Sequence, residues 1–153
     1  MDVKEKIPLI FGVPGKKFLD GFVGGRAFVA ELRPGLEGMT RTAAALLKKN
    51  VEPVIICDNM MAFCMERGLV ERVHIFYQSI NKKAAWCRTG SLIAALCAKA
   101  HGIAVVAHRA SPIKKSGSLL KIAGQNVTSG RMKTYVPLRE AVFLEYITEI
   151  NHA

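Results

Sequence analysis

The run Pro53-Val54-Ile55-Ile56-Cys57 constrains the fold more than any other stretch of the sequence. It is continuously apolar and largely β-branched, which is typical of a parallel strand that is covered on both faces. Other short apolar runs predict further strands over residues 8–12, 27–32, 72–77 and 103–108. Because parallel strands need long crossover connections, the pattern predicts an α/β domain.

The segments between these runs are rich in helix-forming residues, and Gly68 and Gly102 follow two of them as stop signals. They predict helices over residues 38–50, 59–67, 86–101 and 138–151. Residues 109–131 predict a long loop, with a short strand at Val127-Thr128 or at Thr134–Val136. No repeat or linker divides the 153 residues. We therefore predict one three-layer domain over residues 1–153 with a mostly parallel sheet and right-handed crossovers.

Composition restricts the classes of partner. The formal net charge is +10, which fits a nucleic-acid partner, a pocket for a phosphorylated small molecule or simple solubility, and composition does not separate these. The four cysteines lack the spacing of a metal site or a disulfide framework, so we expect free thiols and neither metal nor cofactor. No secretory signal and no apolar run of ~20 residues is present, which predicts a cytoplasmic protein without a membrane partner.

Ligands of open α/β sheets bind at the carboxyl ends of the strands, so the loops predicted there supply the candidate site. Arginine, lysine and the amides of glycine-rich turns or helix N-termini are common phosphate partners. The candidate ligand- or phosphate-binding residues are Gly12, Gly15, Lys16, Arg33, Asp58, Asn59, Gln78, Lys82 and Arg88.

Structural explanations of the same residues stay open. Asp58 suits a helix N-cap, Gly12 and Gly15 suit a tight turn, and Lys82 suits a solvated loop. His74 lies inside a predicted strand and is interpreted as a core histidine. No nucleophile-and-base pair or paired carboxylates emerge from the spacing, so the residues alone predict a basic edge without an evident reaction.

Four segments in order resemble the family that contains the methylthioribose-1-phosphate isomerases, the alpha, beta and delta subunits of translation initiation factor 2B, and the archaeal ribose-1,5-bisphosphate isomerases. The first, from Glu31 to Ala43, is similar to the family pattern E-T-R-P-x-x-Q-G-x-x-x-T-A. The others are similar to T-D-N-M, N-K-I-G-T…A-K-x-x-G-I and Y-N-P-x-x-D-x-x-x-x-E, and they lie at 57–60, 87–103 and 135–145. The resemblance implies the Rossmann-like C-terminal domain of that family, a fold of the NagB/RpiA/CoA-transferase type.

The departures from the family pattern concern its catalytic residues. The isomerases use a cysteine after the first strand and an aspartate at a later strand end, and the resemblance puts Gly12 and Gln78 at these positions. Moving a proton between two carbons is best served by a group that titrates near the working pH, which neither residue supplies. The family's phosphate-binding Asn-Lys pair becomes Cys87-Arg88 here.

Three functional hypotheses follow. The leading one is a non-catalytic initiation-factor-2B-like module that binds a phosphorylated sugar or nucleotide and self-associates, for which a homodimer is the commonest form. The second is a sugar-phosphate isomerase with a non-standard site built from Tyr77, Lys82 and Cys87. The third is an RNA- or ribosome-associated protein, which rests on the net charge alone.

Overall fold

The computed structural model describes residues 5–112, 121–122 and 124–152. Its strands are β1 (Ile7–Phe11), β2 (Arg26–Ala30), β3 (Glu52–Ile56), β4 (Val70–Ile80), β5 (Ala84–Arg88), β6 (Val105–Arg109), β7 (Lys121–Ile122), β8 (Gln125–Asn126), β9 (Arg139–Phe143) and β10 (Glu149–Ile150). Its helices are α1 (Lys16–Gly21), a π-helix (Gly38–Ala43) that continues into α2 (Ala44–Leu47), α3 (Met61–Glu66) and α4 (Ser91–Ala100). In these ranges no helix is long and apolar enough to cross a membrane.

Six strands form a parallel sheet in the order β10-β6-β4-β1-β2-β3. The distal half of β4 extends beyond its parallel neighbours and pairs antiparallel with β5, which pairs antiparallel with β9. The predicted α/β class with a mostly parallel sheet is therefore confirmed. All five predicted strands are present, and β4 is longer than predicted.

Two predicted helices are wrong over part of their length. In the first, predicted over 86–101, residues 86–88 belong to β5, and the helix begins only at Ser91. Most of the second, at 138–151, consists of β9, a 3₁₀ turn and β10. Both segments are apolar enough for either state, and the unpaired end of β4 supplies hydrogen-bond partners for β5, which in turn supplies them for β9.

Two further predictions about strands are wrong. The predicted alternatives Val127-Thr128 and Thr134–Val136 are not strands, and the short strands near them are β7 and β8. The run at 53–57 is a strand, but it is the edge strand β3 rather than one covered on both faces, and Ile55 is 40% exposed.

The two faces of the sheet are covered unequally. One face packs Leu9, Phe11, Val73, Ile75 and Tyr77 in a core with residues of α3 and the ten-residue α4. The opposite face packs a smaller cluster against α1, which has only six residues, and against the segment that contains α2. Among the residues that the structure describes, the cover of the second face over β4 and β6 is incomplete.

Candidate functional site

The loop between β2 and the π-helix is held by Asp58, which follows β3. One carboxylate oxygen of Asp58 accepts a hydrogen bond from the Leu32 amide at 2.9 Å, and the other accepts from the Arg33 amide at 2.7 Å. Leu32 is fully buried with φ +60°, a conformation that non-glycine residues rarely adopt. The N-cap interpretation of Asp58 is wrong, since its side chain makes no cap and instead stabilises this strained loop.

Gly12 follows β1 at a position that a side chain does not fit. Its φ is +127°, and a Cβ atom built there would lie 2.9 Å from Cδ2 of Phe76. Its carbonyl accepts a hydrogen bond from the Thr42 hydroxyl at 2.8 Å, which ties the strand end to the π-helix. Gly12 therefore serves as a packing contact between two elements of the sheet edge.

Gln78 lies at a bulge in the antiparallel pairing of β4 with β5. The register shifts between Tyr77 and Ser79, a distortion that often accompanies functional edges of sheets. The Gln78 amide nitrogen donates to the Ser111 carbonyl at 3.0 Å, and the Ser111 hydroxyl donates to the Pro14 carbonyl at 2.7 Å. The side chain of Gln78 thus joins the loops that leave β1 and β6.

Arg88, at the end of β5, already has a carboxylate partner. Its guanidinium donates to both carboxylate oxygens of Glu37, at 3.0 and 2.8 Å. The Arg88 side chain is only 7% exposed and that of Glu37 is 18% exposed, so solvent screens the pair weakly. The arginine predicted to hold a phosphate is therefore internally neutralised.

The N-terminus of α4 is occupied in the same way. Oε1 of Glu140, on β9, accepts hydrogen bonds from the amides of Gly90 and Leu92 at 2.6 and 2.8 Å. Gly90, with φ +104°, lies so close to the ring of Phe11 that a Cβ there would overlap it. A carboxylate of the chain thus fills the place that an anionic ligand takes at a helix N-terminus.

The predicted residues do not form one cluster. Gly12, Arg33, Asp58, Gln78 and Arg88 lie at the edge formed by the strand ends, and Asn59 follows Asp58 in a 3₁₀ turn. The Arg33 guanidinium donates to Glu31 at 2.6 Å, and this bond raises the pKa of Arg33. Lys82 lies in the β4–β5 turn, five residues or roughly 16 Å of extended chain beyond Tyr77.

The alternative isomerase residues are placed unfavourably for proton transfer. Tyr77 and Cys87 are partners in adjacent strands, but both are buried, and the Tyr77 hydroxyl donates to the Asn151 carbonyl at 3.0 Å. Burial, together with the nearby Glu140, raises the pKa of the Cys87 thiol to about 12. Lys82 lies in the β4–β5 turn, away from Tyr77 and Cys87. Among the described residues, no group of His, Cys, Asp or Glu side chains is arranged to hold a metal ion.

A cavity of about 860 Å³ lies beside α1, on the less covered face of the sheet. Gly15 and Lys16 line it, together with His74 and His108, so two predicted residues belong here rather than with the strand-end groups. The interpretation of His74 as a buried histidine is confirmed, since the residue is 7% exposed, but that interpretation did not identify the cavity. The sequence signal for this cavity was a histidine on each of two predicted strands, His74 and His108. The sequence did not show that these strands are neighbours, which depends on the register of β4 and β6.

The chain matches a known protein family in sequence. The model of the Initiation factor 2 subunit family matches residues 22–115, which is more than half of the chain. A methylthioribose-1-phosphate isomerase from Carboxydothermus hydrogenoformans is 34% identical over 79 residues, covering 51% of this chain and 23% of its own. That from Thermotoga maritima is 44% identical over 48 residues, covering 31% and 14%.

Solved structures are similar over nearly the whole chain. The 5-methylthioribose 1-phosphate isomerase from Pyrococcus horikoshii has a TM-score of 0.76 at 19% identity and covers 96% of this chain and 50% of its own. The translation initiation factor eIF-2B subunit delta from A. fulgidus has a TM-score of 0.74 at 17% identity and covers 97% and 53%. The chain thus spans about half the length of these two proteins, and at such identities the likeness shows the fold.

Proposed function

The chain belongs to the Initiation factor 2 subunit family, and from this premise we propose that it is a non-catalytic binding and assembly module of that family. The observation that carries the proposal is the structural use of Gly12 and Gln78, which stand where the resemblance puts the catalytic cysteine and aspartate. Gly12 leaves no room for a side chain, and the Gln78 amide, which does not titrate, holds the Ser111 carbonyl.

The binding part of the proposal concerns a phosphorylated small molecule at the strand ends. Arg88 and the first amides of α4 are suitable phosphate donors, but Glu37 and Glu140 occupy them. A phosphate must displace at least one of these carboxylates before it binds there. Binding at this edge is accordingly proposed as an exchange of a side-chain carboxylate for a ligand anion.

The assembly part rests on exposed apolar residues of two adjacent helices. Phe63 of α3 is 52% exposed, and Ile93 of α4 is 60% exposed, with Leu96 on the same side of α4. Large apolar side chains grouped on a surface favour association with another protein surface. Self-association of the chain through α3 and α4 is the form of assembly that we propose.

Turnover is the direct test of the non-catalytic proposal. Methylthioribose 1-phosphate and ribose 1,5-bisphosphate would be incubated with the chain, and with the C. hydrogenoformans isomerase and methylthioribose 1-phosphate as the positive control. We expect no ketose product from the chain. Turnover that persists in Gln78→Ala would show that other groups move the proton and would overturn the proposal.

Mass measurement tests the assembly part separately. Light scattering coupled to size-exclusion chromatography should give more than one chain per particle, and the double substitution Phe63→Asp with Ile93→Asp should lower the mass. Val23→Asp is the matched control, because Val23 is 84% exposed and lies after α1 rather than on α3 or α4. A monomeric chain, or equal loss of mass in the control, contradicts association through these helices.

A further inference from the structure

The cavity beside α1 is separate from the groups at the strand ends. It is bounded by α1, by the proximal part of β4, by the end of β6 and by Asn151 after β10. It extends from Pro8 and Glu71 near the amino ends of the strands to Ala110 beyond the end of β6. Its volume, about 860 Å³, is in the usual range for small-molecule sites.

An aromatic wall forms one side of the cavity. Phe18 packs edge-on against His74, Phe76 and His108, with ring centroids 5.1, 5.0 and 4.7 Å apart. Phe22 packs against Phe18 at 5.2 Å and also lines the cavity. Rings held in this way offer edges and faces to a planar ring with little loss of side-chain freedom.

The rim of the cavity carries more positive charge than its own acids neutralise. Lys16, Lys17, Arg72 and Arg109 line it, against the single carboxylate of Glu71, which is 3.3 Å from the Arg72 guanidinium. Neither Lys17 nor Arg109 has an ion-pair partner within the described part of the chain. The unpaired cations differ in this respect from Arg88, whose carboxylate partner is built in.

A directed hydrogen-bond chain runs through the two histidines. Asn151 Nδ2 is 3.3 Å from His108 Nδ1, and His108 Nε2 is 2.9 Å from His74 Nδ1. An amide nitrogen only donates, so a neutral His108 accepts at Nδ1 and carries its proton on Nε2. That proton is donated to His74 Nδ1, which leaves the proton of a neutral His74 on Nε2.

Both rings are neutral at physiological pH. Burial lowers the pKa of His74 to about 3, with smaller contributions from His108 and Arg72, and burial lowers the pKa of His108 to about 4. His74 Nε2 has no hydrogen-bond partner among the described residues, and His74 lines the cavity. Its N–H is thus a fixed donor for an acceptor on a ligand.

We propose that this cavity is a binding site for a small anion that contains a planar aromatic ring. The ring packs against Phe18 and Phe22 and accepts a hydrogen bond from His74 Nε2, while the anionic group lies between Lys17 and Arg109. A mononucleotide and an aromatic carboxylate share this chemistry. The site is independent of the proposed exchange at Arg88 and of the assembly surface.

Calorimetric titration of the full chain tests the proposal with four probes: adenosine monophosphate, 4-hydroxybenzoate, adenosine and inorganic phosphate. We expect at least one of the two aromatic anions to bind about tenfold or more tightly than both half-ligands, since only the anions satisfy the cations and the rings together. Preference between the two anions identifies the source of the ligand. Equal binding of a half-ligand, or no binding of either aromatic anion, overturns the proposal.

Substitutions of cavity residues test whether the aromatic anion binds in the cavity. Lys17→Gln with Arg109→Gln should weaken the bound anion about tenfold or more, because two charge-assisted contacts are lost. Lys48→Gln with Lys83→Gln is the matched charge control, since both lysines are exposed and neither lines the cavity. His74→Phe keeps the ring and removes the donor, so it should weaken the aromatic anion but not inorganic phosphate.

The outcomes also separate this site from the strand ends. Glu37→Gln and Glu140→Gln alter the strand-end groups and should leave the binding of the aromatic anion unchanged. If they change it while the cavity substitutions do not, the ligand binds at the strand ends and the cavity proposal fails. Equal weakening by Lys48→Gln with Lys83→Gln indicates general attraction to a basic surface and likewise overturns the cavity proposal.

Discussion

The strand-end edge and the cavity beside α1 both contain cationic side chains and N–H donors, but the two regions differ in how far these groups have internal partners. At the strand ends, Arg88 is bound to Glu37, and the α4 amides are bound to Glu140. In the cavity, Lys17 and Arg109 have no ion-pair partner in the described ranges, and the His74 Nε2 proton has no acceptor there. Cationic residue types are therefore a poor guide to a ligand site until their internal partners are known.

Side chains at the strand ends and in the cavity should differ in how much they contribute to the stability of the fold. Groups that satisfy one another at the strand ends contribute to the stability of the fold, and removing one leaves its partner unsatisfied in a poorly solvated place. Groups that line an open cavity are solvated without a ligand, so their removal should affect binding more than folding. Substitution at the two regions should therefore separate the free energy of unfolding from affinity.

The largest expected effect is that of Glu37→Ala. It leaves the Arg88 guanidinium, which is 7% exposed, without its carboxylate, and should lower the free energy of unfolding by about 3 kcal/mol. Urea denaturation measures the change. Glu52→Ala is the control, because it removes an exposed 2.8 Å pair with Arg26 that solvent screens, and it should have a much smaller effect. Equal costs would mean that burial does not distinguish the two pairs.

A comparable but somewhat smaller loss is expected for Gly38→Ala at the same edge. Its Cβ would overlap the Ala30 carbonyl oxygen and lie 2.9 Å from the Glu31 carbonyl carbon, and backbone atoms do not rotate away. We expect about 2 kcal/mol of destabilisation, measured as a lower urea midpoint. Gly21→Ala, beside the cavity, is the matched control, since no atom lies within 4 Å of its Cβ position. A neutral Gly38→Ala would contradict the tight packing of this edge.

The smallest of the three effects concerns the pH dependence of stability and belongs to the cavity. The pKa of His74 is about 3 in the folded chain, below the ordinary histidine value of 6.5, so the unfolded chain binds the proton more readily. Stability from neutral His74 is complete above pH 6.5 and is lost as the pH falls toward 3. The slope is at most about 1.4 kcal/mol per pH unit for one histidine.

Urea denaturation at pH 5 and pH 7 checks this sign. The chain should be less stable at pH 5, and His74→Phe should reduce the difference between the two values by up to about 2 kcal/mol. His101→Phe is the control, since His101 is exposed at the end of α4. A difference that is unchanged in His74→Phe would show that His74 is not held neutral by the fold.

Local sequence was sufficient for the elements whose pattern has one interpretation. The apolar runs at 8–12 and 72–77 are strands, and the stop signals at Gly68 and Gly102 lie just beyond the ends of α3 and α4, where both glycines have positive φ. Local sequence was insufficient for β5 and β9, whose apolar residues suit a helix or a strand. Their state depends on hydrogen bonds to the distal part of β4, which are distant in sequence.

The residues of the candidate site were also only partly predictable from the sequence. Sequence alone identified Gly12, Asp58 and Gln78 as residues near strand ends, because a strand end is a local property of the chain. It could not reveal that Asp58 holds the amides of Leu32 and Arg33, or that Glu37 neutralises Arg88 across 51 positions. Such pairings depend on which loops the crossovers bring together.

By itself, the sequence determined the α/β class, the family resemblance and the absence of titratable groups at positions 12 and 78, since each depends on residue type and order. Only the tertiary structure decided that the strand-end cations are internally paired and that His74, His108 and Phe18 enclose a cavity beneath a short helix. The physical reason is that charge compensation and cavity formation depend on distances between side chains, which sheet register and helix length set together.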